Sequence, residues 1–180
     1  RLSPEAPFLQ MFTSGTVGKP KGVAVPLSGM TAFAIYMELA IDLRYDDRFW
    51  NMADPGWAYG LYYAITGPLL LGVTTHFCEA GFSAEGALAF MKRHHITNFA
   101  AAPTAYRLMK ASGLFDDAHE TLELRAASSA GEPLNTEVVT WVEKSLGCPV
   151  MDHYGQTETG MTCNNHHALD HLKHVGAMGV

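Results

Sequence analysis

The segment ITNFAAAPTAYRLMKASG, Ile96–Gly113, decides the fold class of this protein. Its first part, Ile96–Ala102, is a short apolar run that is typical of a buried strand. Thr104 is predicted to cap a helix, and Gly113 is the kind of residue that commonly follows a helix end. A strand followed directly by a helix is the repeating unit of α/β proteins.

The same alternation of strand and helix extends on both sides of this segment and occurs about six times along the chain. Predicted strands lie at or within Phe8–Phe12, Phe49–Ala53, Val73–Phe77, Ile96–Ala102, Leu122–Ala130 and Pro149–Gly155. Predicted helices lie at Leu27–Leu43, Tyr59–Leu71, after a cap at Ser83, from Thr104 to near Gly113, and along Leu134–Leu146. This order predicts an α/β fold in which a mostly parallel sheet has helices on both faces.

Ligands of such sheets bind at the carboxyl ends of the strands. Four loops are expected there: Thr13–Gly22, Asp54–Gly60, Gly131–Pro133 and Gln156–Gly160. The sequence therefore predicts one functional site that is built from all four.

Amino-acid composition and net charge argue against some classes of binding partner. The 180 residues have a formal net charge of −6 and are 48% hydrophobic, which predicts a globular domain and argues against nucleic acid or an anionic membrane as the main partner. No apolar run is long enough for a membrane span. Cys78, Cys148 and Cys163 lack the spacing of a metal site or a disulfide framework, which favours a reducing cytoplasm.

The loop TSGTVGKPKG, Thr13–Gly22, combines glycines, hydroxyl side chains and two lysines. Glycines allow a tight backbone whose N–H groups form an anion-binding nest, and the lysines add positive charge. The chemistry suits a polyphosphate, although a solvated turn between two elements would look similar. It is not a Walker A loop, because Thr13 and Pro20 stand where that pattern needs glycine and a hydroxyl residue.

A second dense stretch is MDHYGQTETG, Met151–Gly160. Tyr154 is suited to stacking on a base, Thr157 to a phosphate hydrogen bond, and Glu158 to Mg²⁺ through oxygen ligation. The alternative is that Tyr154 belongs to the core and Glu158 is a solvated acid at a helix start.

Five segments, TSGTVGKPKG, DPGWAYG, AAPTAYRLM, SAGEPLN and YGQTETG, follow one another along the chain. In this order they resemble the motifs of the adenylate-forming enzymes, which include acyl-CoA synthetases, nonribosomal peptide adenylation domains and luciferases. The stretch ADPGWAYGLYYAITGPLLLGVTT is most similar to the branch of acetyl-CoA and medium-chain acyl-CoA synthetases. The resemblance covers essentially the whole chain and departs in the first loop, where Val17 replaces the usual threonine or serine.

The resemblance implies a role for each motif. The mobile loop over the ATP phosphates corresponds to Thr13, Ser14, Gly15, Thr16, Gly18, Lys19 and Lys21, of which Thr16 and Lys21 are assigned to catalysis. The adenine site corresponds to Gly131, Glu132, Pro133, Asp152, His153 and Tyr154. Gln156 and Thr157 are expected near the α-phosphate, Thr157 with a catalytic role, and Glu158 is expected to bind Mg²⁺ and to support catalysis. The acyl pocket corresponds to Trp57, Ala58, Tyr59, Ala130 and Gly155.

The implied reaction is the activation of a carboxylic acid, such as a fatty acid. Its carboxylate attacks the α-phosphorus of ATP and expels pyrophosphate, and the thiol of coenzyme A then displaces AMP from the acyl adenylate. Attack of an anion on a polyanion requires charge neutralisation and in-line positioning, which lysines, N–H groups, hydroxyls and Mg²⁺ supply. Three alternatives stay open: a carrier-protein acceptor, oxygen as acceptor, and a nucleotide-binding module without catalysis. A P-loop phosphotransferase is disfavoured by Pro20.

The enzymes that this chain of 180 residues resembles are considerably longer. The resemblance therefore implies that residues 1–180 form a single partial AMP-binding domain within the large N-terminal domain. The opening part of that N-terminal domain, the family's later ribose-binding aspartate and its small C-terminal domain, with a lysine that serves adenylation, would lie outside it. We expect this piece alone to be inactive and its uncovered apolar faces to favour self-association.

The resemblance also bears on the acid. Gly155 stands where the acetyl-CoA synthetase motif has a tryptophan, Ala130 where it has a valine, and Tyr59 where it has a threonine. Gly155 and Ala130 imply a pocket deeper than an acetate pocket, although the larger Tyr59 refills or redirects part of the space. Such a pocket suits acids of about four carbons or more, because each buried methylene contributes about 0.8 kcal/mol. Gly155→Trp is then expected to reverse the preference.

Overall fold

The computed structural model describes residues 2–14 and 19–179. The strands are β1 (Pro7–Thr13), β2 (Lys21–Pro26), β3 (Phe49–Asn51), β4 (Thr75–His76), β5 (Asn98–Ala101), β6 (Ala126–Ala130), β7 (Val150–Gln156) and β8 (Gly160–Asn164). The helices are α1 (Gly29–Ile35), α2 (Ala58–Gly60), α3 (Gly67–Leu71), α4 (Ala84–His94), α5 (Pro103–Ser112) and α6 (Thr136–Ser145). Two π-helical segments, Tyr36–Ala40 and Leu61–Thr66, follow α1 and α2, and a short 3₁₀ helix covers Ala118–Glu120.

The main sheet has six strands in the order β4-β3-β5-β6-β7-β8. Strands β3 to β7 are parallel, and β8 returns antiparallel to β7. The predicted α/β class with a mostly parallel sheet is therefore confirmed. Parallel pairing joins Ala130 to His153, which brings the ends of β6 and β7 together.

Two apolar cores lie on opposite faces of this sheet. Trp50 and Phe99 belong to the core under α4, α5 and α6, whereas the adjacent residues Phe49 and Ala100 belong to the core under α1 and the helix after β3. Because successive side chains of a strand point to opposite faces, this alternation shows that helices cover both sides. The predicted layering is thus confirmed.

The first predicted strand is present, but the prediction that it belongs to the parallel sheet is wrong. Phe8–Phe12 lies in β1, which pairs antiparallel with β2 in a separate two-stranded sheet and does not join the parallel sheet. Thr13 and Lys21 form the last pair of this hairpin, so both belong to strands and not to the connecting loop. The predicted set of strands also omitted β2 and β8.

Several helix ends follow from local chemistry. Ser83 caps α4 as predicted, its hydroxyl accepting from Gly86 N at 3.0 Å, and Gly113 ends α5 in the left-handed conformation. The cap predicted at Thr104 is wrong, because α5 starts after Ala102 with Pro103 in its first turn. Asn135 caps α6 through Val138 N at 3.0 Å.

The helix predicted at Tyr59–Leu71 is continuous through α2, its π-helical segment and α3. Within residues 2–14 and 19–179, no helix combines the length and the apolar character needed to span a membrane.

Candidate active site

The carboxyl ends of β6 and β7 bring two predicted adenine-binding segments together. Gly131 follows β6 with φ of +99°, a left-handed conformation that glycine adopts easily, and turns the chain toward Pro133. The next residue, Leu134, directs its backbone N–H at the carboxylate of Asp152 on β7. The loop Gly131–Pro133 and the strand β7 therefore form one continuous edge of the site.

Asp152 is the buried carboxylate of this edge. Burial raises its pKa to about 6, although the backbone N–H groups of Leu134 and His153 lower it. The His153 N–H donates to the Asp152 carboxylate at 3.1 Å. A carboxylate held in this way, 6% exposed, is a strong acceptor for a ligand amino group.

Residues of β7 alternate between two sides of the sheet. Asp152 and Tyr154 share one face by strand periodicity, and Tyr154 is 41% exposed, so its ring is accessible to a stacking partner. His153 points to the other face, where it packs edge-on against Tyr36 at 5.2 Å between ring centroids. Both ring nitrogens of His153 are hydrogen-bonded and the residue is 1% exposed, so its side chain is not available to a nucleotide.

Glu132 is exposed and anchored from α5. Its carboxylate accepts from Thr104 Oγ1 at 2.8 Å and from the Arg107 guanidinium at 2.5 Å. The Thr104 hydroxyl and then Arg107 hold the pKa of Glu132 below its usual value. The Thr104 side chain thus supports the Gly131–Pro133 loop.

The turn between β7 and β8 carries Thr157 and Glu158, and two tyrosines hold it. Tyr62 Oη donates to the Thr157 carbonyl at 3.1 Å, and Met161 N donates to Tyr63 Oη at 3.0 Å. Gln156 and Glu158 are exposed at this turn. These two adjacent tyrosines lie on the π-helical segment after α2. They were not predicted as site residues, because nothing in the surrounding sequence distinguishes them from ordinary core residues.

A cavity of about 260 Å³ lies between β2, the start of α1 and this turn. Thr157 and Glu158 line it together with Val23 and Ser28. The strand that returns from the predicted phosphate loop therefore faces the predicted metal ligand across one cavity. Ser14, Lys19 and Lys21 are exposed beside the loop, whereas Gly15, Thr16 and Gly18 lie outside the described residues.

The predicted acyl-pocket residues lie at two places: in the segment after β3, and at or near the carboxyl ends of β6 and β7. Trp57 is 75% exposed just before α2, after a turn in which Asp54 accepts from Gly56 N at 2.6 Å. Ala130 is buried, and the Tyr59 side chain is partly exposed while its hydroxyl lies 3.3 Å from Tyr36 Oη.

Gly155 requires a correction. A Cβ atom at this residue would overlap the backbone of Gly160 and lie 2.7 Å from Met161 Sδ. The position is therefore filled by the neighbouring strand β8, and the extra pocket space expected from a glycine at this residue is absent. Glycine at residue 155 is explained by the close approach of two backbones.

Comparison with known proteins identifies the family of this chain. Residues 1–180 match the family of AMP-binding enzymes. Acetyl-coenzyme A synthetase of Xanthomonas axonopodis pv. citri is 38% identical over 169 residues, and that of Ralstonia pickettii is 37% identical over 171 residues. The matches cover 89% and 88% of this chain but 26% of each relative, so the chain spans about a quarter of the length of these curated relatives.

Solved structures give the same result. An acyl-CoA synthetase of Brucella canis superimposes with a TM-score of 0.93 at 53% identity, over 99% of this chain and 32% of its own. A benzoate CoA ligase of Burkholderia xenovorans shares the fold, with a TM-score of 0.86 at 23% identity, over 99% of this chain and 35% of its own. The resemblance inferred from the motifs is therefore confirmed, and the chain belongs to the family of AMP-binding enzymes.

Proposed function

We propose that this chain forms the nucleotide- and acid-binding part of an ATP-dependent acid–CoA ligase. The carboxylate of the acid attacks the α-phosphorus of ATP, the bond to pyrophosphate breaks, and an acyl adenylate forms. The sulfur of coenzyme A then attacks the acyl carbon, and AMP leaves with the bonding electrons. The similarity to acetyl-CoA and acyl-CoA synthetases supports this choice of reaction.

The proposal rests on the way that successive side chains of β7 point to opposite faces of the sheet. Asp152 and Tyr154 share the face that meets the Gly131–Pro133 loop, which suits a purine: the ring stacks on Tyr154, and Asp152 accepts from the amino group. His153 points to the opposite face, toward Tyr36, whose hydroxyl lies next to that of Tyr59. One strand thus separates a nucleotide side from an acid side, and its end is the natural place for the two to react.

The phosphates are assigned to the cavity between β2 and the turn after β7. Thr157 approaches the α-phosphate there. The exposed Lys19 and Lys21 neutralise negative charge of the polyphosphate, and the hydroxyls of Thr13 and Ser14 suit hydrogen bonds to its oxygens. The predicted contribution of Thr16 lies outside the described residues. Positioning and charge neutralisation are sufficient for this chemistry, because the attacking carboxylate needs no proton removed.

Glu158 suits Mg²⁺. Among residues 2–14 and 19–179, no three His, Cys, Asp or Glu side chains are grouped as a metal site, and Mg²⁺ bound with a nucleotide typically uses one or two carboxylates, phosphates and water. An exposed carboxylate at the rim of the phosphate cavity meets that requirement. The ion supplies positive charge to the phosphates when it is bound.

The test uses the protein that carries this sequence, with ATP, Mg²⁺, coenzyme A and a series of carboxylic acids. We expect acyl-CoA, AMP and pyrophosphate in equal amounts by mass spectrometry. Hydroxylamine without coenzyme A serves as a second arm, because it traps an acyl adenylate as the hydroxamate. Hydroxamate without acyl-CoA would indicate a different acceptor, and neither product with any acid would contradict the proposal.

A further inference from the structure

A series of hydrogen-bonded polar groups leads from Tyr59, which the proposed function assigns to the acid side, to the backbone of Asn165. Tyr59 Oη lies 3.3 Å from Tyr36 Oη, and Tyr36 Oη lies 2.7 Å from His153 Nδ1. On the other side of the ring, His153 Nε2 lies 2.9 Å from the carbonyl oxygen of Asn165. Tyr36 and His153 are 4% and 1% exposed, so water does not compete for these groups.

In this series of hydrogen bonds, the donor and the acceptor of each bond can be assigned. A carbonyl oxygen only accepts, so His153 Nε2 carries a hydrogen and donates to Asn165. Burial lowers the pKa of His153 to about 3, so the ring is neutral and its Nδ1 accepts from Tyr36. Tyr36 has then used its one hydrogen, and Tyr59 must donate to Tyr36.

This arrangement holds the hydroxyl end of the Tyr59 side chain in place. Its hydroxyl is bound to Tyr36, and its ring packs on Tyr63 with 5.7 Å between centroids. The far end of the series is the backbone of Asn165, which also pairs with Asp152 through its own N–H at 3.2 Å. The tip of Tyr59 is therefore tied to the strands that carry the nucleotide face.

We propose that Tyr36 and His153 are positioning residues for acid selection, which hold Tyr59 as a rigid wall that sets the length of carboxylic acid the pocket accepts. The inference rests on the proposed function and adds to it the residues that determine chain-length specificity. Tyr36 and His153 act through Tyr59 and touch neither the acid nor the phosphates. Loss of the tether should flatten the preference among acids and leave the adenylation step itself intact.

The experiment measures kcat/KM for straight-chain acids of two to eight carbons in wild-type protein, Tyr36→Phe, Tyr59→Phe and the double variant. If Tyr59 is no longer held in place, the pocket should discriminate less between acids. The ratio of kcat/KM between the best acid and acids of adjacent chain length should therefore fall about 10-fold in either single variant. In Tyr36→Phe, which leaves the wall residue itself unaltered, the change should appear in KM, with kcat for the best acid within about twofold. The double variant should resemble the single ones, because both remove the same tether.

The matched control is Tyr106→Phe. Tyr106 is also fully buried, and its hydroxyl donates to the Ser128 carbonyl at 2.9 Å, outside this chain of hydrogen bonds. It should lose comparable stability without a change in the chain-length ratio. An equal change of ratio in Tyr106→Phe would overturn the proposal.

Other outcomes are also decisive. Turnover with unchanged ratios in Tyr36→Phe and Tyr59→Phe would overturn this inference alone. If Tyr36→Phe does not fold, Tyr59→Phe decides, since it cuts the same tether at its partly exposed end. No acid-dependent turnover in the wild-type protein would overturn the proposed function and this inference with it.

Discussion

Gly155 on β7 and Gly160 at the start of β8 approach so closely that a Cβ atom at residue 155 would overlap the Gly160 carbonyl. This contact closes the turn that carries Thr157 and Glu158. We expect Gly155→Ala to destabilise the protein by about 1–3 kcal/mol, because the added carbon meets backbone that cannot rotate away. Urea unfolding of both proteins measures the difference.

Gly81→Ala is the control for that prediction. A Cβ atom at Gly81 would meet nothing within 4 Å, and we expect a change within about 0.5 kcal/mol. Equal stability of Gly155→Ala and wild type would show that the two strands have room to separate, and would restore the open position that the sequence motif suggested.

The two tyrosines behind the turn give a second prediction. Tyr62→Phe leaves the Thr157 carbonyl without its side-chain donor, and the loss of one such bond corresponds to about a 3- to 10-fold effect. We expect kcat for acid-dependent pyrophosphate release to fall by that factor, with KM for the acid unchanged. Tyr45→Phe, at a 91% exposed tyrosine, should behave as wild type. A Tyr62→Phe protein with normal kcat would argue that the turn keeps its geometry without this bond.

Arg107 supports the Gly131–Pro133 loop through Glu132, so Arg107→Met should weaken AMP binding. The pair is exposed, and a loss of about threefold in affinity is expected. Lys110→Met is the matched control, since Lys110 joins α5 to Glu137 on α6 without contacting the loop. Titration calorimetry with AMP distinguishes them, and equal affinities in both variants would exclude a role for Arg107 in shaping the loop.

The buried His153 predicts a dependence of stability on pH. Its pKa is lowered to about 3 in the folded state, so the unfolded chain binds more protons below its ordinary value of about 6.5. The stabilisation is fully present above that value and is lost as the pH falls toward 3. At pH 5 the loss is about 2 kcal/mol.

His153→Gln should remove this contribution, because glutamine does not titrate. Asp152 acts in the opposite direction in both proteins, since its raised pKa favours the folded state as the pH falls below about 6. The difference between wild type and variant therefore reports His153 alone. Equal loss of stability between pH 7.5 and pH 5 in wild type and His153→Gln would show that the ring is protonated without unfolding. His174→Gln, at an exposed histidine, is the control.

Local sequence predicted much of this fold. Ile96–Gly113 forms a strand and a helix because an apolar run, a proline at the helix start and a glycine at the helix end lie close together in the sequence. The parallel sheet follows from the repetition of such units. The partner of Phe8–Phe12 was not predictable in this way, because pairing of β1 with β2 depends on contacts across a loop and not on either strand alone.

The candidate site divides in the same manner. Gly131–Pro133 and Asp152 come together at neighbouring strand ends, as the order of strands requires. Tyr36 and His153 are 117 positions apart, and their hydrogen bond depends on the packing of one helix against one face of β7. The close contact of Gly155 with Gly160 likewise depends on β8, which the sequence analysis did not predict.

Acid-dependent exchange of labelled pyrophosphate into ATP reports adenylation itself, because exchange requires a reversible acyl adenylate. The proteins compared are wild type, Glu158→Gln and Glu120→Gln, the last at an exposed glutamate of the 3₁₀ helix that precedes β6. We predict exchange only with acid and Mg²⁺, a decrease of about 100-fold in Glu158→Gln, and wild-type rates in Glu120→Gln. Exchange that needs no acid would exclude acid adenylation, and unchanged exchange in Glu158→Gln would exclude Glu158 as the Mg²⁺ ligand.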